Sequence, residues 1–251
     1  MSGPVRNPFS LLIMFLKSAA FYLFRMPTPP KDRFDLLYSV KKDPWKYHSS
    51  RYEYNKYKDT LSLLKLSPYG KVLEMGCSIG VLTSMLASYC KELLAVDASK
   101  VALERAEKNC EQFSHVKFYC IDFFNDPVNE KFDLIVCSEI LYYLDDPYKI
   151  KEMMFKMANW LFPQGYLLLT HMRRKSEDGV GFGRSLLGFP TMGAVSVHGI
   201  FKEEGGPFKL IEELIKEYYI VSLFQKQEAA SKKQSSISSD KLHTNKPITT
   251  F

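Results

Sequence analysis

The sequence predicts a three-layer α/β fold built on a mostly parallel sheet, and three observations carry that expectation. Short apolar runs and helical stretches alternate from residue 71 to residue 171, the order that winds a parallel sheet with helices on both faces. The first run passes through a glycine turn straight into a helix at Lys71–Thr83, KVLEMGCSIGVLT. Acids stand at or just past the ends of successive runs, at Glu74, Asp97 and Asp122, where the ligands of such sheets lie.

Taken in order, the chain opens with Pro8–Phe24, strongly apolar but only 17 residues long and interrupted by Lys17. That is short of the roughly 18 uninterrupted apolar residues of a spanning helix. Two readings stay open: a helix in peripheral membrane contact, flanked by Arg6, Arg25 and Lys31, or a helix packed on the domain or capping a dimer. Monomer and dimer are both compatible. Arg25–Pro30, RMPTPP, ends any helix as a stiff linker. Residues 1–33 are therefore set apart from a domain at 34–225, and residues 226–251, rich in Ser, Lys and Gln without periodicity, are expected to be disordered. Within the domain, Asp43-Pro44-Trp45 precedes Ser50-Arg51-Tyr52-Glu53, whose Ser-x-x-Glu spacing is that of a capping box. The helix it starts has an apolar face of Tyr57, Leu61 and Leu64, with Tyr52, Glu53 and Lys56 at its entry.

At the turn that follows, Gly76 and Gly80 permit backbone conformations closed to other residues and let a ligand lie against bare main chain beside Cys77 and Ser78. The new helix offers unpaired N–H groups there. The spacing E-x-G-x-S-x-G is not the G-x-G-x-x-G of a dinucleotide site, and the Glu74 carboxylate would repel a pyrophosphate. A cation suits it. S-adenosylmethionine (SAM) carries a sulfonium and an ammonium, and the stretch resembles the first motif of class I SAM-dependent methyltransferases.

Beyond the turn, Ile79–Cys90 reads as a helix and Lys91–Asp97 as the second strand, with Asp97, next to Ala98, placed to bind both ribose hydroxyls. Ser99–Gln112 is the next helix. Val116–Ile121 is the third strand, closing in Asp122, an acceptor for an adenine amino group, and Phe123, a cover for the ring. Phe132–Cys137 is the fourth strand and leads into Ser138 and Glu139. Asp146-Pro147 caps a helix that runs to Leu161, and Gly165–His171 is the fifth strand. Phe208–Glu217 pairs Leu210 with Leu214 and Ile211 with Ile215, a helical spacing, before a last strand at Tyr218–Gln225.

Charge excludes one class of partner. The net charge is +6, but residues 1–33 carry an excess of four positive charges and the tail from Gln225 an excess of three, so the domain between them is slightly acidic. Nucleic acid, which needs a basic face on the folded part, is not expected. The five cysteines form no C-x-x-C pair and read as buried, reduced thiols of a cytoplasmic protein. No His, Asp and Glu cluster has metal-ligand spacing.

The run GCSIGVLTSMLASYCKELLAVD, preceded by DPWKYHSSRYEYNKYKDTL and followed by SEILYYL, resembles the NodS-like methyltransferases, the nodulation protein S group, over about Asp43–Phe224. The resemblance implies a Rossmann-like methyltransferase fold of seven strands with the last antiparallel, which makes Phe208–Glu217 a strand. It implies a lid over the SAM pocket formed by the helix after Ser50, with Trp45, Tyr52 and Lys56 close to the cofactor and the aromatics facing the sulfonium. It also implies a small-molecule acceptor, an amino sugar or similar, since the group methylates the free amine of a deacetylated chitooligosaccharide. The chain departs from the pattern at Met75, where a proline is common, at Met172, where His171-Met172-Arg173 replaces an aromatic, and in the glycine-rich insertion SEDGVGFGRSLLGFP. That insertion lies before Val197-His198 and is expected to form the acceptor wall.

Methyl transfer is an in-line displacement, for which a protein mainly holds donor and acceptor in line and excludes water. An amine acceptor must shed a proton, and His171, then His198, are the candidate bases. Glu139 and Tyr142 are expected to orient the acceptor, Arg173 to hold one of its oxygens, and Tyr143 with Leu144 to be core. Two other functions remain compatible with the residues: O-methylation of a membrane-borne or small-molecule hydroxyl, and a non-catalytic SAM-binding scaffold.

Overall fold

Helix signals and strand runs settle into a single seven-stranded sheet with helices on both faces. The computed structural model describes residues 31–144, 146–173, 182–184 and 190–228. The apolar stretch 8–24, the linker, most of the 176–190 insertion and the tail beyond residue 228 lie outside them. Among the described residues no helix is long and apolar enough to cross a membrane.

The elements run α1 (Lys31–Val40), α2 (Arg51–Ser62), β1 (Tyr69–Met75), α3 (Val81–Leu86), β2 (Cys90–Asp97), α4 (Lys100–Asn109), β3 (Val116–Cys120), β4 (Phe132–Ser138), α5 (Pro147–Trp160) and β5 (Leu161–Met172). A short hairpin, β6 (Phe182–Arg184) and β7 (Pro190–Met192), then leads to α6 (Ala194–Phe201), β8 (Phe208–Ile215) and β9 (Tyr219–Lys226). The sheet order is β3-β2-β1-β4-β5-β9-β8. The first five strands are parallel, and β9 runs antiparallel to both β5 and β8. This is the Rossmann-like methyltransferase fold. The chain winds outward from β1 in one direction through β2 and β3, then in the other from β4, so the switch point lies between β1 and β4, where a crevice opens beyond the carboxyl ends.

Strands buried on both faces make two cores. Along β4, Ile135 and Cys137 face α5 and its methionines Met153, Met154 and Met157. Leu134 and Val136 face the other way, onto Tyr57, Leu61, Leu82 and Leu86 of α2 and α3. The N-caps form at the expected residues: Ser50 Oγ accepts from the Glu53 N–H at 3.3 Å, Ser99 Oγ from Ala102 at 3.2 Å, and Asp146 from Tyr148 at 2.8 Å. The reciprocal half of the capping box is not made, because the Ser50 N–H donates to Lys46 O at 2.9 Å and the Glu53 carboxylate pairs with Lys56. The first crossover helix is shorter than Ile79–Cys90. Its α-turns span Val81–Leu86, followed by a 3₁₀ turn over Ala87–Tyr89.

β8 is decided by its partner strand. The Leu210/Leu214 and Ile211/Ile215 pairs would suit a helix, yet the segment ladders along β9 from Phe208↔Lys226 to Ile215↔Ile220, with a register shift between Leu210 and Glu212. A spacing of four puts residues on one face of a strand as well as of a helix, so the pattern does not separate the two, and the ladder to β9, with one bulge, decides.

Candidate active site

A cavity of about 330 Å³ opens at the switch point. Each strand end contributes in turn: Gly76 and Ser78 after β1, Asp97 and Ala98 at β2, Asp122 to Asn125 after β3, and Ser138, Glu139, Ile140 and Tyr143 after β4. Phe34 and Tyr38 of α1, with Trp45 and Tyr47, roof it. Among the described residues the lining is aromatic and carries three carboxylates, Asp97, Asp122 and Glu139, and no lysine or arginine.

The glycine turn is built by conformation and by Asp97. Gly76 has φ +75° and Gly80 +83°, and Ser78 between them +52°. The Gly76 and Cys77 N–H groups donate to Val96 O at 2.8 and 3.0 Å. The Ser78 N–H donates to Asp97 Oδ2 at 2.9 Å, and the Ser99 N–H to Oδ1 at 2.8 Å. Burial pushes Asp97 up to about 6, with those two amides offsetting part of the shift. A carboxylate has about four lone-pair sites, and the Ala98 amide also acts on this one, so Asp97, which lines the cavity, keeps part of its accepting capacity. The two glycines do different work. A Cβ on Gly80 would meet the Ala106 backbone at 3.0 Å, so Gly80 permits close packing on α4 rather than contact with a ligand. A Cβ on Gly76 would lie 2.1 Å from Ile140 Cδ1.

Glu74 and Cys77 stand off the main cavity and line a small adjoining one of about 20 Å³ with Tyr47, Tyr57 and Ser138. Glu74 Oε2 is buried without a hydrogen-bond partner. Burial raises Glu74 to about 7, with Thr83 opposing and Asp97 adding to the rise. Asp122 keeps both oxygens on its own loop, Oδ1 accepting from Phe124 N at 3.1 Å and Oδ2 from Asn125 Nδ2 at 2.8 Å.

The lid differs from expectation in two residues. Trp45 reaches the cavity, whereas Tyr52 and Lys56 do not line it. Tyr52 O–H donates to Tyr218 O at 3.2 Å, and its ring lies 5.3 Å from Lys56 Nζ, so its cation is a lysine of its own helix. Lys56, 2% exposed, lies 2.7 Å from Glu139 Oε1 and 2.8 Å from Glu53 Oε2. Burial opposes its charge, but Glu139 and Glu53 outweigh it and the pKa rises. Glu139 has φ +60°, its N–H donates to Thr170 O at 2.8 Å, and its Oε2 accepts from the Met172 N–H at 3.1 Å.

The remaining polar candidates sit behind this wall. His171 and His198 are fully buried and line no part of the cavity. His171 Nε2 takes the Leu141 N–H at 3.3 Å and Nδ1 lies 3.1 Å from His198 Nε2. Burial lowers His171 to about 4, and lowers His198 well below its ordinary value. Neither imidazole, each expected as the base, reaches the cavity wall in this structure; both are enclosed in the core. The reason is the strand pleat: Thr170 faces α2, His171 faces α6, and Met172, 37% exposed, is the residue at the surface. Tyr142 packs on His171 with ring centroids 5.9 Å apart and does not line the cavity. Tyr143, expected in the core, does line it, edge-on to Phe34 at 5.7 Å. Arg173 also stands outside the lining, its N–H donating to Tyr218 O at 2.7 Å.

Seven lining residues had no place among the candidates: Phe34, Tyr38 and Tyr47 in the roof, and Phe124, Asn125, Ile140 and Tyr143 in the strand-end turns. Phe34 and Tyr38 carry a signal, an aromatic pair four apart beside the break at Pro30, where the domain was taken to begin. Tyr38 O–H and Ser78 Oγ lie 2.5 Å apart, Ser99 Oγ donates to Asp35 Oδ1 at 2.6 Å, and Arg105 donates to Tyr38 O at 2.9 Å, so α1 is tied to both the glycine turn and α4.

Comparison with known proteins agrees with this geometry. The family model for nodulation protein S (NodS) matches residues 32–182. Nodulation protein S of Sinorhizobium fredii is 32% identical over 127 residues, 50% of this chain and 59% of that protein. That of Bradyrhizobium diazoefficiens is 32% identical over 132 residues, 52% of this chain and 63% of that protein. The chain thus aligns with about three-fifths of the length of these curated relatives. Among solved structures, the N-methyltransferase NodS from Bradyrhizobium japonicum WM9 in complex with S-adenosyl-L-homocysteine superposes with a TM-score of 0.64 at 25% identity, covering 77% of this chain and all of that one. With a family model spanning well over half its length and a sheet of the same order as that fold, this chain belongs to the nodulation protein S (NodS) family.

Proposed function

We propose that the protein is an S-adenosylmethionine-dependent methyltransferase that methylates an amino group of a small polar acceptor, an amino sugar or a similar amine. The observation that carries this reading is the lining of the cavity, which among the described residues is aromatic, with three carboxylates and no cationic side chain. A phosphate-bearing cofactor would be repelled by it, whereas sulfonium and ammonium groups are attracted by both the charge and the ring faces. The residues fit SAM on their own terms. Asp97 lines the cavity with accepting capacity left for a hydroxyl, Phe123 and Phe124, in edge-to-face contact at 4.7 Å, give the wall beside Asp122 an aromatic surface for a flat base, and the orphaned Glu74 Oε2 stands behind the turn as an unsatisfied acceptor.

Bound SAM supplies a methyl group already activated by its sulfonium. The protein's part is to position and to handle one proton. Glu53, Lys56 and Glu139 together carry one net negative charge where the cavity wall meets α2, which favours an amine arriving as its cation. Glu139 is the member of this trio on the cavity wall; it holds the ammonium and receives the proton that must leave before nitrogen can attack. The roof of α1 and Trp45 excludes water while this happens.

Isothermal titration with SAM, S-adenosylhomocysteine and NADH tests the cofactor; binding of NADH with none of SAM would sink the reading. Release of S-adenosylhomocysteine with glucosamine, against glucose as the hydroxyl control, tests the acceptor. Turnover with glucose alone would move the reaction from nitrogen to oxygen.

A further inference from the structure

A one-directional hydrogen-bond chain runs through the α5/α6-side core from the acceptor turn to the far edge of the sheet. It begins at the Leu141 N–H, 3.3 Å from His171 Nε2. A backbone N–H only donates, so this nitrogen is bare and the ring proton sits on Nδ1. Nδ1–H therefore donates to His198 Nε2 at 3.1 Å, which leaves the second ring its proton on Nδ1, donated to Ser222 Oγ at 2.7 Å. The Ser222 hydroxyl donates in turn to Glu213 Oε1 at 2.6 Å, and Lys202 Nζ lies 2.5 Å from the same oxygen. His171, His198 and Ser222 are fully buried, while Glu213 is at the rim. An obligate donor at one end and an obligate acceptor at the other leave every intervening proton a single place. Burial favours two neutral imidazoles, as such a chain requires.

What the chain holds is the segment leaving β4. Glu139 in its left-handed conformation, Ile140 and Tyr143 all lie on the cavity wall, and Leu141, one step behind them, is the residue clasped by His171. We propose that His198, Ser222 and Glu213 are positioning residues for this wall: the directed chain sets the tautomer of His171, which holds the Leu141 amide and with it the 138–143 segment that shapes the donor and acceptor sites. The role of that wall rests on the methyltransferase reading; the proton order of the chain does not.

Removing the Ser222 acceptor takes away what satisfies the order. In Ser222→Ala the His198 Nδ1–H is left without a partner in a dry site, while the reversed order would set a His171 Nε2–H against the Leu141 N–H. Neither order is then satisfied, the rings are no longer held to one arrangement, and the longest bond of the chain, at Leu141, is the one that loosens. The test is nitrogen NMR of the full-length protein, which separates pyridine-type from pyrrole-type imidazole nitrogens. In the unmodified protein Nε2 of both histidines is expected to be pyridine-type. In Ser222→Ala both are expected to lose their purely pyridine-type signal and become mixed, with the Leu141 amide exchanging about tenfold faster and S-adenosylhomocysteine bound several-fold more weakly, roughly what one lost hydrogen bond produces. Ser222→Thr, which keeps the hydroxyl, is expected to restore the order. Glu213→Met, a change at the rim that does not depend on Ser222→Ala folding, frees the outer end; it should give mixed tautomers and an intermediate Leu141 exchange rate. A pyrrole-type His171 Nε2 in the unmodified protein overturns the proposal, as does wild-type Leu141 exchange in both Glu213→Met and any folded Ser222→Ala. If the tautomers are as described but S-adenosylhomocysteine does not bind the unmodified protein, the chain stands and the functional reading falls.

Discussion

Lys56 Nζ lies 2.7 Å from Glu139 Oε1, joining the lid helix α2 to the end of β4 across 83 residues of sequence. Glu53 Oε2 completes the trio at 2.8 Å, as an ion pair without hydrogen-bond geometry. Lys56→Met leaves two buried carboxylates facing each other. Breaking a buried pair from one side costs about 3–5 kcal/mol, so a loss of that order is expected in denaturant unfolding at pH 7. The double variant with Glu139→Gln should lose less than the two single changes summed. Strict additivity would show that the contact carries no coupling.

Glu74 sets stability against binding. Its folded pKa of about 7 lies above the ordinary 4.5, so the folded protein holds this proton more tightly than the unfolded chain. The associated stability is fully present below pH 4.5 and is lost as pH rises through about 7, in total about 3 kcal/mol at 1.36 kcal/mol per unit. Glu74→Gln should therefore stabilise the ligand-free protein at pH 8 and leave it little changed at pH 4.5. SAM binding should strengthen with pH up to about 7 in the unmodified protein, with a proton released. In Glu74→Gln that dependence should vanish. Calorimetry in two buffers of different ionisation enthalpy reads the proton directly.

Asp97 serves the turn as well as the cavity, because it accepts from Ser78 and Ser99. Asp97→Ala is expected to weaken SAM binding by about 1.5–3 kcal/mol for each charge-assisted bond lost. It should also lower the melting temperature, because two backbone donors lose their acceptor. Weaker binding at an unchanged melting temperature would mean that the turn holds its shape without the carboxylate.

Gly76 is constrained by its neighbour. Alanine there would place Cβ 2.1 Å from Ile140 Cδ1 at φ +75°, so Gly76→Ala carries a clash plus about 1–2 kcal/mol of left-handed strain. Adding Ile140→Ala should recover the clash and leave the strain. A double variant as stable as the unmodified protein would place all of the loss in packing.

Legibility differs between residues that act locally and those that act across the sheet. The N-cap at Ser50, the proline-led start of α5 and the strand, glycine turn and helix at residues 69–86 are short-range signals, each complete within a few residues. Asp97, Asp122 and Ser138 were legible for a related reason: in a parallel sheet the end of every strand is delivered to the same edge, so position in the chain is enough. His171 has the same position in the chain and a different fate. Whether a strand-end side chain meets the cavity or the core depends on which pleat face it occupies and on what covers that face, and α6, bearing His198, is 27 residues away.

The alternation of strand and helix, the glycine turn and the acids at strand ends by themselves determined a parallel α/β sheet with a cation-favouring site at its carboxyl edge, because periodicity and turn chemistry are written in neighbouring residues. The local spacing of four in Phe208–Ile215 fits helix and strand alike, and only the tertiary structure decided its register, a ladder along β9 with one bulge between Leu210 and Glu212. It alone turned Lys56 inward to Glu139, brought α1 over the cavity, and sealed two histidines into a directed chain ending at Glu213. Each of these depends on burial and on partners tens of residues away, and the free energy of a charge or a proton in a protein is set by exactly those surroundings.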